Sequence, residues 1–215
     1  MRRLVLQMQT TLDGFMSAGP EEPAWQVWDW TGRSAWDAEL LADFNGSLAS
    51  ADTILLSRPL VDGGYLDHWA GVGRAYPDDP DYAFARRVGD IEKVVVSRSA
   101  PLRQWPKTRV VTGALADAVT DLKAGPGADI IAFGGVRFAA SLAAEGLVDE
   151  YQFHVNPTAT GTGESVLPPG LKLEIADATA YSCGVVVLRY RPTRSPRRPN
   201  PVGQLHHAEN TPDVS

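Results

Sequence analysis

The sequence predicts an α/β protein: a mixed, mainly parallel sheet in a three-layer arrangement, with helices on both faces. Two patterns lead to this prediction. Short apolar segments alternate with helical patterns as far as residue 146, as parallel crossovers require. Beyond that point strand patterns follow one another directly, which indicates an antiparallel C-terminal edge. The chain has 215 residues, 44% of them hydrophobic, which is enough for one full core.

The first half of the chain contains two predicted strands, 3–10 and 52–57, on either side of a predicted helix over 35–50. The helix is indicated by apolar residues at helical spacing, and we expect these to face the core: Trp36, Leu40, Phe44 and Leu48. Residues 59–90 are rich in Pro, Gly and Asp. That composition predicts a long surface excursion with one or two short helices.

The second half continues the alternation and then closes the sheet. Residues 150–157 alternate apolar and polar side chains, which predicts a strand whose wetter face carries His154 as a surface or interface residue. The remaining predicted strands are 92–97, 108–113, 129–133, 171–177 and 184–192, and the predicted helices are 114–123 and 136–145.

Composition excludes several classes of protein. A net charge of -6 argues against nucleic acid as a partner, and the absence of a long apolar run argues against a membrane span. One cysteine and four histidines without ligand spacing predict neither an internal disulfide nor a metal site. The N-terminus is interpreted as a strand and not as a signal peptide, so we expect a cytoplasmic protein. Residues 1–191 form the expected domain, and the Pro-rich residues 192–215 are expected to be a disordered tail.

A glycine pair follows the predicted strand 129–133, and a helix follows the pair. Gly134 and Gly135 lack Cβ atoms, so an anion can approach the main-chain N–H groups there, beside the N-terminus of the next helix. Val136 opens that helix and Arg137 adds a cation. The alternative is that the glycines only form a tight turn. The full Rossmann glycine spacing is absent.

Two other predicted strands end in a serine followed by an arginine. These pairs are Ser57-Arg58 and Ser97-Arg98. Arginine binds phosphate bidentately and stacks on adenine, while serine donates to phosphate oxygens. Together with the glycine pair they predict one anion-binding edge, although solvent-facing arginines also follow strands without any such role.

Several motifs, in their order along residues 2–191, resemble those of the dihydrofolate reductase-like family, in the branch related to the reductase domain of riboflavin biosynthesis. The motifs are "TTLDGFM", "ILLSRPLVDGGY", "KVVVSRSAPL", "IIAFGGVRFAASLAAEGLVDEYQFHVNPTATGTG" and "VVVLRYRP".

The resemblance implies a reductase that binds NADPH, and in many members a homodimer. It maps the cofactor phosphates to Ser57, Arg58 and Pro59, and the adenosine end to Ser97 and Arg98. The pyrophosphate maps to the turn of Gly134, Gly135, Val136 and Arg137, and the nicotinamide maps to the loop of Leu12, Asp13 and Gly14.

The sequence departs from the family pattern at two positions. Ser57 stands where members often have a glycine, with Leu60 or Val61 in place of a threonine. Phe133 stands where members of the riboflavin pathway commonly carry an acidic residue before the glycine pair. The fused zinc deaminase domain of many such enzymes is also absent, because one cysteine cannot supply its ligands.

Four tryptophans lie within the stretch "WQVWDWTGRSAW", and three of them, Trp25, Trp28 and Trp30, are candidates to stack on a flat heteroaromatic substrate. The alternative for them is a lid on the core or a dimer contact. Asp37 is the nearest match to the pterin-binding carboxylate of dihydrofolate reductases, and the alternative for it is a helix cap.

Reduction of a C=N or C=O bond needs a proton, and Asp13 is the candidate donor if burial raises its pKa. The alternative is that Asp13 only hydrogen-bonds the backbone of its Asp-Gly turn. We therefore expect an NADPH-dependent reductase of a small pterin-like, pyrimidine-like or carbonyl substrate, including the 5-amino-6-(5-phosphoribosylamino)uracil type. The alternative function is a nucleotide-binding module without catalysis.

Overall fold

The computed structural model describes residues 1–16, 36–97 and 104–193. Within these ranges the predicted α/β class is confirmed. The strands are β1 (Leu4–Thr10), β2 (Ala51–Ser57), β3 (Glu92–Ser97), β4 (Thr108–Thr112), β5 (Asp129–Phe133), β6 (Glu150–Val155), β7 (Leu173–Ala180) and β8 (Val186–Pro192). The α-helices are α1 (Ala38–Ala49), α2 (Arg58–Asp62), α3 (Tyr65–Ala75), α4 (Ala83–Asp90), α5 (Leu115–Ala124) and α6 (Val136–Ala144), with a 3₁₀ turn at Pro80–Tyr82.

The strands form one mixed sheet in the order β4-β3-β2-β5-β1-β6-β8-β7. Every pairing from β4 to β6 is parallel, and β8 pairs antiparallel with both β6 and β7. The predicted antiparallel C-terminal edge is therefore confirmed. The last strand of the domain reaches Pro192, and the N–H of Thr193 donates to the carbonyl of Lys172 at 3.1 Å. The predicted tail from residue 194 onward lies outside the described residues.

Helices cover both faces of the sheet because each strand alternates its side chains between them. On β1, Val5 packs with α1, α3 and α4, whereas Leu4, Leu6 and Met8 pack with α5 and α6 on the opposite face. The predicted helical stripe of α1 is buried: Trp36 lies just before the helix, and Leu40, Phe44 and Leu48 lie within it.

The prediction of a surface excursion over 59–90 is wrong. This segment forms three helices and a 3₁₀ turn, and they bury a set of large side chains in the core: Tyr65, Leu66, Trp69, Phe84 and Val88. The apolar spacing of Tyr65 and Trp69 is helical, but Gly, Pro and Asp residues around it dominate the composition. The sequence also predicted β7 as 171–177, whereas the strand runs from Leu173 to Ala180.

A buried lysine closes the end of α4. The Nζ of Lys93, on β3, donates to the carbonyls of Val88 at 2.9 Å, Gly89 at 3.2 Å and Ile91 at 2.8 Å. Burial lowers the pKa of Lys93. Without its ammonium group, the three carbonyls at this helix end would be buried without a donor, which is costly. This side chain therefore joins α4 to the sheet that carries the site.

We predict that Lys93→Met lowers the free energy of unfolding by about 2–3 kcal/mol, because buried carbonyls lose a charged donor. Lys107→Met is the matched control: its Nζ also donates to a carbonyl near this helix end, that of Asp90 at 2.7 Å, but its side chain is 51% exposed. The control is expected to cost less than about 1 kcal/mol. Urea denaturation of both variants measures this, and equal losses would contradict the assignment.

Candidate active site

The carboxyl ends of the parallel strands meet at one edge of the sheet, as parallel pairing requires. Ser57 ends β2, Ser97 ends β3 and Phe133 ends β5, so the predicted anion-binding segments follow three neighbouring strands. α1, the next helix described after β1, packs on one face of the sheet, and α6, which follows the adjacent β5, packs on the other. This divergence opens a crevice at the end of β5 and β1, where ligands bind in open α/β sheets.

A cavity of about 210 Å³ occupies that crevice. Its floor on the sheet includes Gln7, Gln9, Phe133 and His154, and its rim includes the glycine pair. The other residues that line it, mostly aromatic or aliphatic, are Met8, Met16, Trp36, Phe44, Leu60, Tyr65, Trp69, Phe84 and Val136. The cavity therefore combines an aromatic wall with a few polar groups on β1 and β6.

The glycine pair lies at the mouth of this cavity. Gly134 has a φ of +30°, and its N–H contacts the Sδ of Met8 at 3.0 Å. Gly135 is the N-cap of α6, and a Cβ built on it would meet nothing within 4 Å. Space beside this main chain is therefore open, and the N-terminus of α6 begins there with Val136. Arg137 is on the surface, where its Nε lies 3.7 Å from a carboxylate oxygen of Glu164.

A second, more open depression of about 350 Å³ adjoins the cavity. Pro59, Gly63, Gly64 and His68 line it, and it shares Leu60 and Tyr65 with the first. Together the two depressions extend from the glycine turn to the loop after β2, as an elongated ligand would need.

The serine at the end of β2 has a structural task. The Oγ of Ser57 accepts from the N–H of Leu60 at 3.4 Å and caps α2. The guanidinium of Arg58 pairs with Asp62 at 3.0 Å, four residues along. Ser97 is buried at the end of β3, and Arg98 lies outside the described residues. The predicted phosphate and adenosine contacts therefore remain predictions.

The loop that follows β1 exposes an apolar side chain to solvent. Leu12 is 70% exposed, and its N–H donates to the carbonyl of Thr158 at 2.8 Å. Gly14 has a φ of +87°, which a residue with a side chain rarely adopts, and its N–H donates to the carbonyl of Thr11 at 3.0 Å. This tight turn holds Leu12 in the open.

Asp13 does not meet the condition set for a proton donor. Its carboxylate is exposed and accepts from the hydroxyl of Thr11 at 2.6 Å and from the N–H groups of Thr160 and Gly161, the latter at 2.6 Å. These hydrogen bonds, that from Thr11 first, lower the pKa of Asp13. The residue is thus an ionised brace between two loops, and it does not line the cavity.

Asp37 is a helix cap, as the alternative interpretation holds, and it does not line the cavity. Its Oδ1 accepts from the N–H of Leu40 at 2.9 Å, while Oδ2 accepts from the hydroxyl of Ser182 at 2.7 Å and the N–H of Cys183 at 3.0 Å. The bond from Leu40 is the largest cause that lowers the pKa of Asp37 to about 2. The carboxylate therefore joins α1 to the turn before β8.

The tryptophans that were predicted to stack on the substrate, Trp25, Trp28 and Trp30, lie outside the described residues.

His154 is a cavity residue, not the surface residue that alternation predicted. It is 1% exposed, and its ring stacks on Trp36 with centroids 5.1 Å apart. Burial is the main cause that lowers the pKa of His154 to about 4; Arg189 acts in the same direction, and Asp43 and a hydrogen bond with the main chain of Met8 oppose it. The imidazole is thus neutral at physiological pH. Alternation marked its face correctly, but α1 covers that face.

Sequence reasoning also missed Gln7, Gln9, Tyr65, Trp69 and Phe84 as cavity residues. The polar residues among them did carry a signal, because glutamines at alternate positions of a buried parallel strand are unusual. The aromatic ones come from the segment that was interpreted as a surface excursion.

None of the helices in the described part of the chain has the length and apolar character of a membrane span. The described residues also contain no cluster of side chains that could bind a metal ion.

The sheet order, the crevice and the helices on both faces define an α/β protein with the dihydrofolate reductase-like fold. The chain belongs to the RibD C-terminal domain family, whose model matches residues 2–187. An uncharacterized protein of Bacillus subtilis (strain 168), YyaP, is 24% identical over 200 residues, which cover 88% of this chain and 94% of that protein.

Solved structures with the same fold include three from other bacteria. A putative riboflavin biosynthesis protein from Shewanella sp. PV-4 has a TM-score of 0.62 at 19% identity, over 89% of this chain and 99% of that one. A pyrimidine reductase-like protein from Corynebacterium diphtheriae has a TM-score of 0.55 at 13% identity, over 90% and 93%. Acinetobacter baumannii RibD has a TM-score of 0.58 at 16% identity, over 90% and 59%. At these identities the likeness shows the fold alone.

We predict that the buried His154 makes stability depend on pH. Its pKa of about 4 in the folded state lies below the ordinary 6.5, so the unfolded chain binds a proton first. Its contribution is fully present above about pH 6.5 and is lost as the pH falls toward about 4. When the pH falls from 7.5 to 5, the titration of His154 should lower the free energy of unfolding by about 2 kcal/mol.

His154→Phe keeps a ring against Trp36 and removes this titration. Denaturant unfolding of both proteins at pH 7.5 and pH 5 measures the difference, and other titrating groups cancel in the comparison. The wild type should lose about 2 kcal/mol more than the variant. Parallel losses in the two proteins would show that His154 does not titrate in this way.

Proposed function

We propose that the protein is an NADPH-dependent reductase that transfers a hydride to a small, flat heterocyclic or carbonyl substrate. The observation that carries the proposal is the position of Gly135. Its main chain faces open space at the N-terminus of α6, and it lines the same aromatic cavity that lies in the crevice between β5 and β1. An anion site thus adjoins a site for a planar ring.

The residues present fit a dinucleotide in three respects. The turn offers the main-chain N–H groups of Gly135 and Val136 to the pyrophosphate, while the N–H of Gly134 contacts Met8. The depression beside Pro59 continues the cavity toward the loop after β2. The exposed Leu12 lies in the loop assigned to the nicotinamide. When bound, NADPH supplies the hydride, and the chain's own residues perform the binding, the orientation and the exclusion of water.

The aromatic wall is suited to orienting a flat ring. The rings of this wall contact one another in edge-to-face or tilted pairs, which leaves apolar faces around the cavity; they are Trp36, Phe44, Trp69, Phe84 and Phe133. Such a wall stacks on a ring and keeps water away from its reacting atoms. Phe133 stands where family members of the riboflavin pathway carry an acid, and here it extends the apolar wall.

The proton that accompanies the hydride comes, in this proposal, from a single positioned water, while the wall excludes bulk water. The exposed Asp13 is held ionised, and His154 is neutral at physiological pH. Burial raises the pKa of the Tyr65 hydroxyl, which makes that group a poor acid. None of the described residues that line the cavity is an Asp or Glu. The same observation favours the second candidate function, a nucleotide-binding module without catalysis.

Membership in the RibD C-terminal domain family supports an oxidoreductase of the riboflavin-pathway type. We propose a substrate of the pyrimidine or pterin kind, and the 5-amino-6-(5-phosphoribosylamino)uracil type is included among them. NADPH oxidation with a panel of pyrimidines, pterins and carbonyl compounds separates the two candidates. Turnover supports the reductase, and tight NADPH binding without turnover of any compound supports the module.

We predict that Gly135→Ala weakens NADPH binding by about tenfold, or ~1.4 kcal/mol, because the added methyl group occupies the space that the cofactor phosphates approach. The protein itself leaves that space open, so the unfolding free energy should change by less than about 1 kcal/mol. Calorimetric titration with NADPH measures the affinity.

Gly46→Ala is the matched control. Gly46 lies inside α1, and an added Cβ there also meets nothing within 4 Å. This variant should gain stability by up to about 1 kcal/mol and bind NADPH like the wild type. If Gly135→Ala binds NADPH as tightly as Gly46→Ala does, the cofactor does not approach the glycine turn.

A further inference from the structure

A chain of buried amide groups ends at the cavity floor. The Nε2 of Gln7 donates to the Oε1 of Gln152 at 3.1 Å, and the Nε2 of Gln152 donates to the Oε1 of Glu150 at 2.9 Å. The three residues lie on adjacent strands, β1 and β6, and all are at most 6% exposed. Gln7 is the member that lines the cavity.

Glu150 sets the direction of this chain. Its Oε2 accepts from the Nη1 of Arg3 at 3.1 Å and from the Nη2 of Arg191 at 3.3 Å, so the carboxylate lies between two guanidinium groups and forms an ion pair with each. An ionised carboxylate only accepts hydrogen bonds. Gln152 must therefore turn its amide nitrogen toward Glu150 and its oxygen toward Gln7. Gln7 in turn must use its nitrogen to reach that oxygen.

This order leaves the Oε1 of Gln7 as an acceptor at the end of the chain. The atom is buried, and none of the described residues donates to it. The neighbouring Gln9 differs, because its Oε1 accepts from the Nδ2 of Asn156 at 3.3 Å. Burying an acceptor without a donor costs free energy. A ligand whose N–H donates to the Oε1 of Gln7 would remove that cost, which favours its binding.

His154 provides a second acceptor on the same floor. The neutral imidazole carries one N–H, and this ring forms a hydrogen bond with the main chain of Met8. Its Nε2 is buried, and no described residue bonds to it. Gln7 and His154 belong to paired strands and to the same face of the sheet, since Gln7 pairs with Gln152 and Gln9 with His154.

The rest of the lining that the structure describes is uncharged. The described residues that line it include no Asp, Glu, Lys or Arg, and aromatic rings form most of its wall. A charged group on the ring would lose its hydration there without gaining a counter-ion. The acceptors of the floor and the aromatic wall together therefore favour an uncharged ring that carries N–H donors.

We propose that the cavity selects an uncharged, planar heterocycle that presents N–H donors to Gln7 and His154, and that Glu150 is the positioning residue that sets this preference through Gln152. The assignment of this heterocycle as the ring of the substrate rests on the proposed reductase function. The preference itself belongs to the cavity and is measured without NADPH.

The test compares two probes, 2-aminoquinoxaline and quinoxaline, which are both uncharged at neutral pH and differ by one amino group. Calorimetric titration of the full chain, without cofactor, measures both dissociation constants. The wild type should bind the amino compound about tenfold more tightly, as one additional hydrogen bond to a buried acceptor allows. Equal affinities, or no binding of either compound to the folded protein, would overturn the proposal.

Variants identify the groups responsible. Gln7→Met removes the acceptor with little change of shape, and the preference should fall to about twofold or less. His154→Phe removes the second acceptor and should lower the preference even if Gln7→Met does not fold. If both variants fold and keep the full preference, these residues do not select the ligand.

Glu150→Gln removes the fixed direction of the amide chain, because a glutamine both donates and accepts. The preference should decrease although the cavity wall is unchanged. Asp52→Asn is the matched control: Asp52 is also ion-paired with an arginine, Arg2, but lies outside the cavity. It should lower the melting temperature without changing the preference. A full preference in folded Glu150→Gln would refute the positioning role.

Failure here is distinguishable from failure of the proposed function. If NADPH binds and is oxidised while the two quinoxalines bind equally, the ring selection is wrong and the reductase stands. If NADPH does not bind while the amino compound is preferred, the ring site stands and the reductase is wrong.

Discussion

The position of β1 between β5 and β6 is the constraint on which the site depends. Its pairing with β5 places Gln7 beside Phe133, and its pairing with β6 places Gln7 beside Gln152. A slip of one residue would exchange the two faces of the strand and send the glutamines among the leucines of the opposite core. The buried Leu4 and Leu6 oppose such a slip, so packing on one face fixes the polar groups on the other.

The same strand creates the crevice. α1 and α6, the helices that come after β1 and β5 in the described chain, pack on opposite faces of the sheet, so two helical layers separate at the end of neighbouring strands. Glycine in the turn after β5 leaves the main chain accessible at this point. The carboxylates of Asp13 and Asp37 hold the surrounding loops instead of entering the cavity, so the described residues that line it carry no charged side chain. Anion binding and ring binding can therefore lie side by side without competing charges.

The strand and helix order, the antiparallel edge and the glycine turn were predictable because they rest on local patterns. Alternation, helical spacing and the freedom of glycine are properties of a few consecutive residues. The segment of 59–90 was not predictable in the same way. Its apolar residues are separated by Gly, Pro and Asp, and only contact with α1 and the sheet shows that Trp69 and Phe84 are core residues.

By itself the amino-acid sequence determined the α/β class, the family motifs and the placement of glycine and serine-arginine pairs at strand ends. Only the tertiary structure decided what individual polar residues do. Asp37 looked like a ligand group and is a cap; His154 looked like a surface residue and is buried against Trp36. The reason is that hydrogen-bond partners and solvent exposure depend on residues far apart in the chain. Gln7 meets Gln152 only because two strands separated by most of the sequence lie side by side.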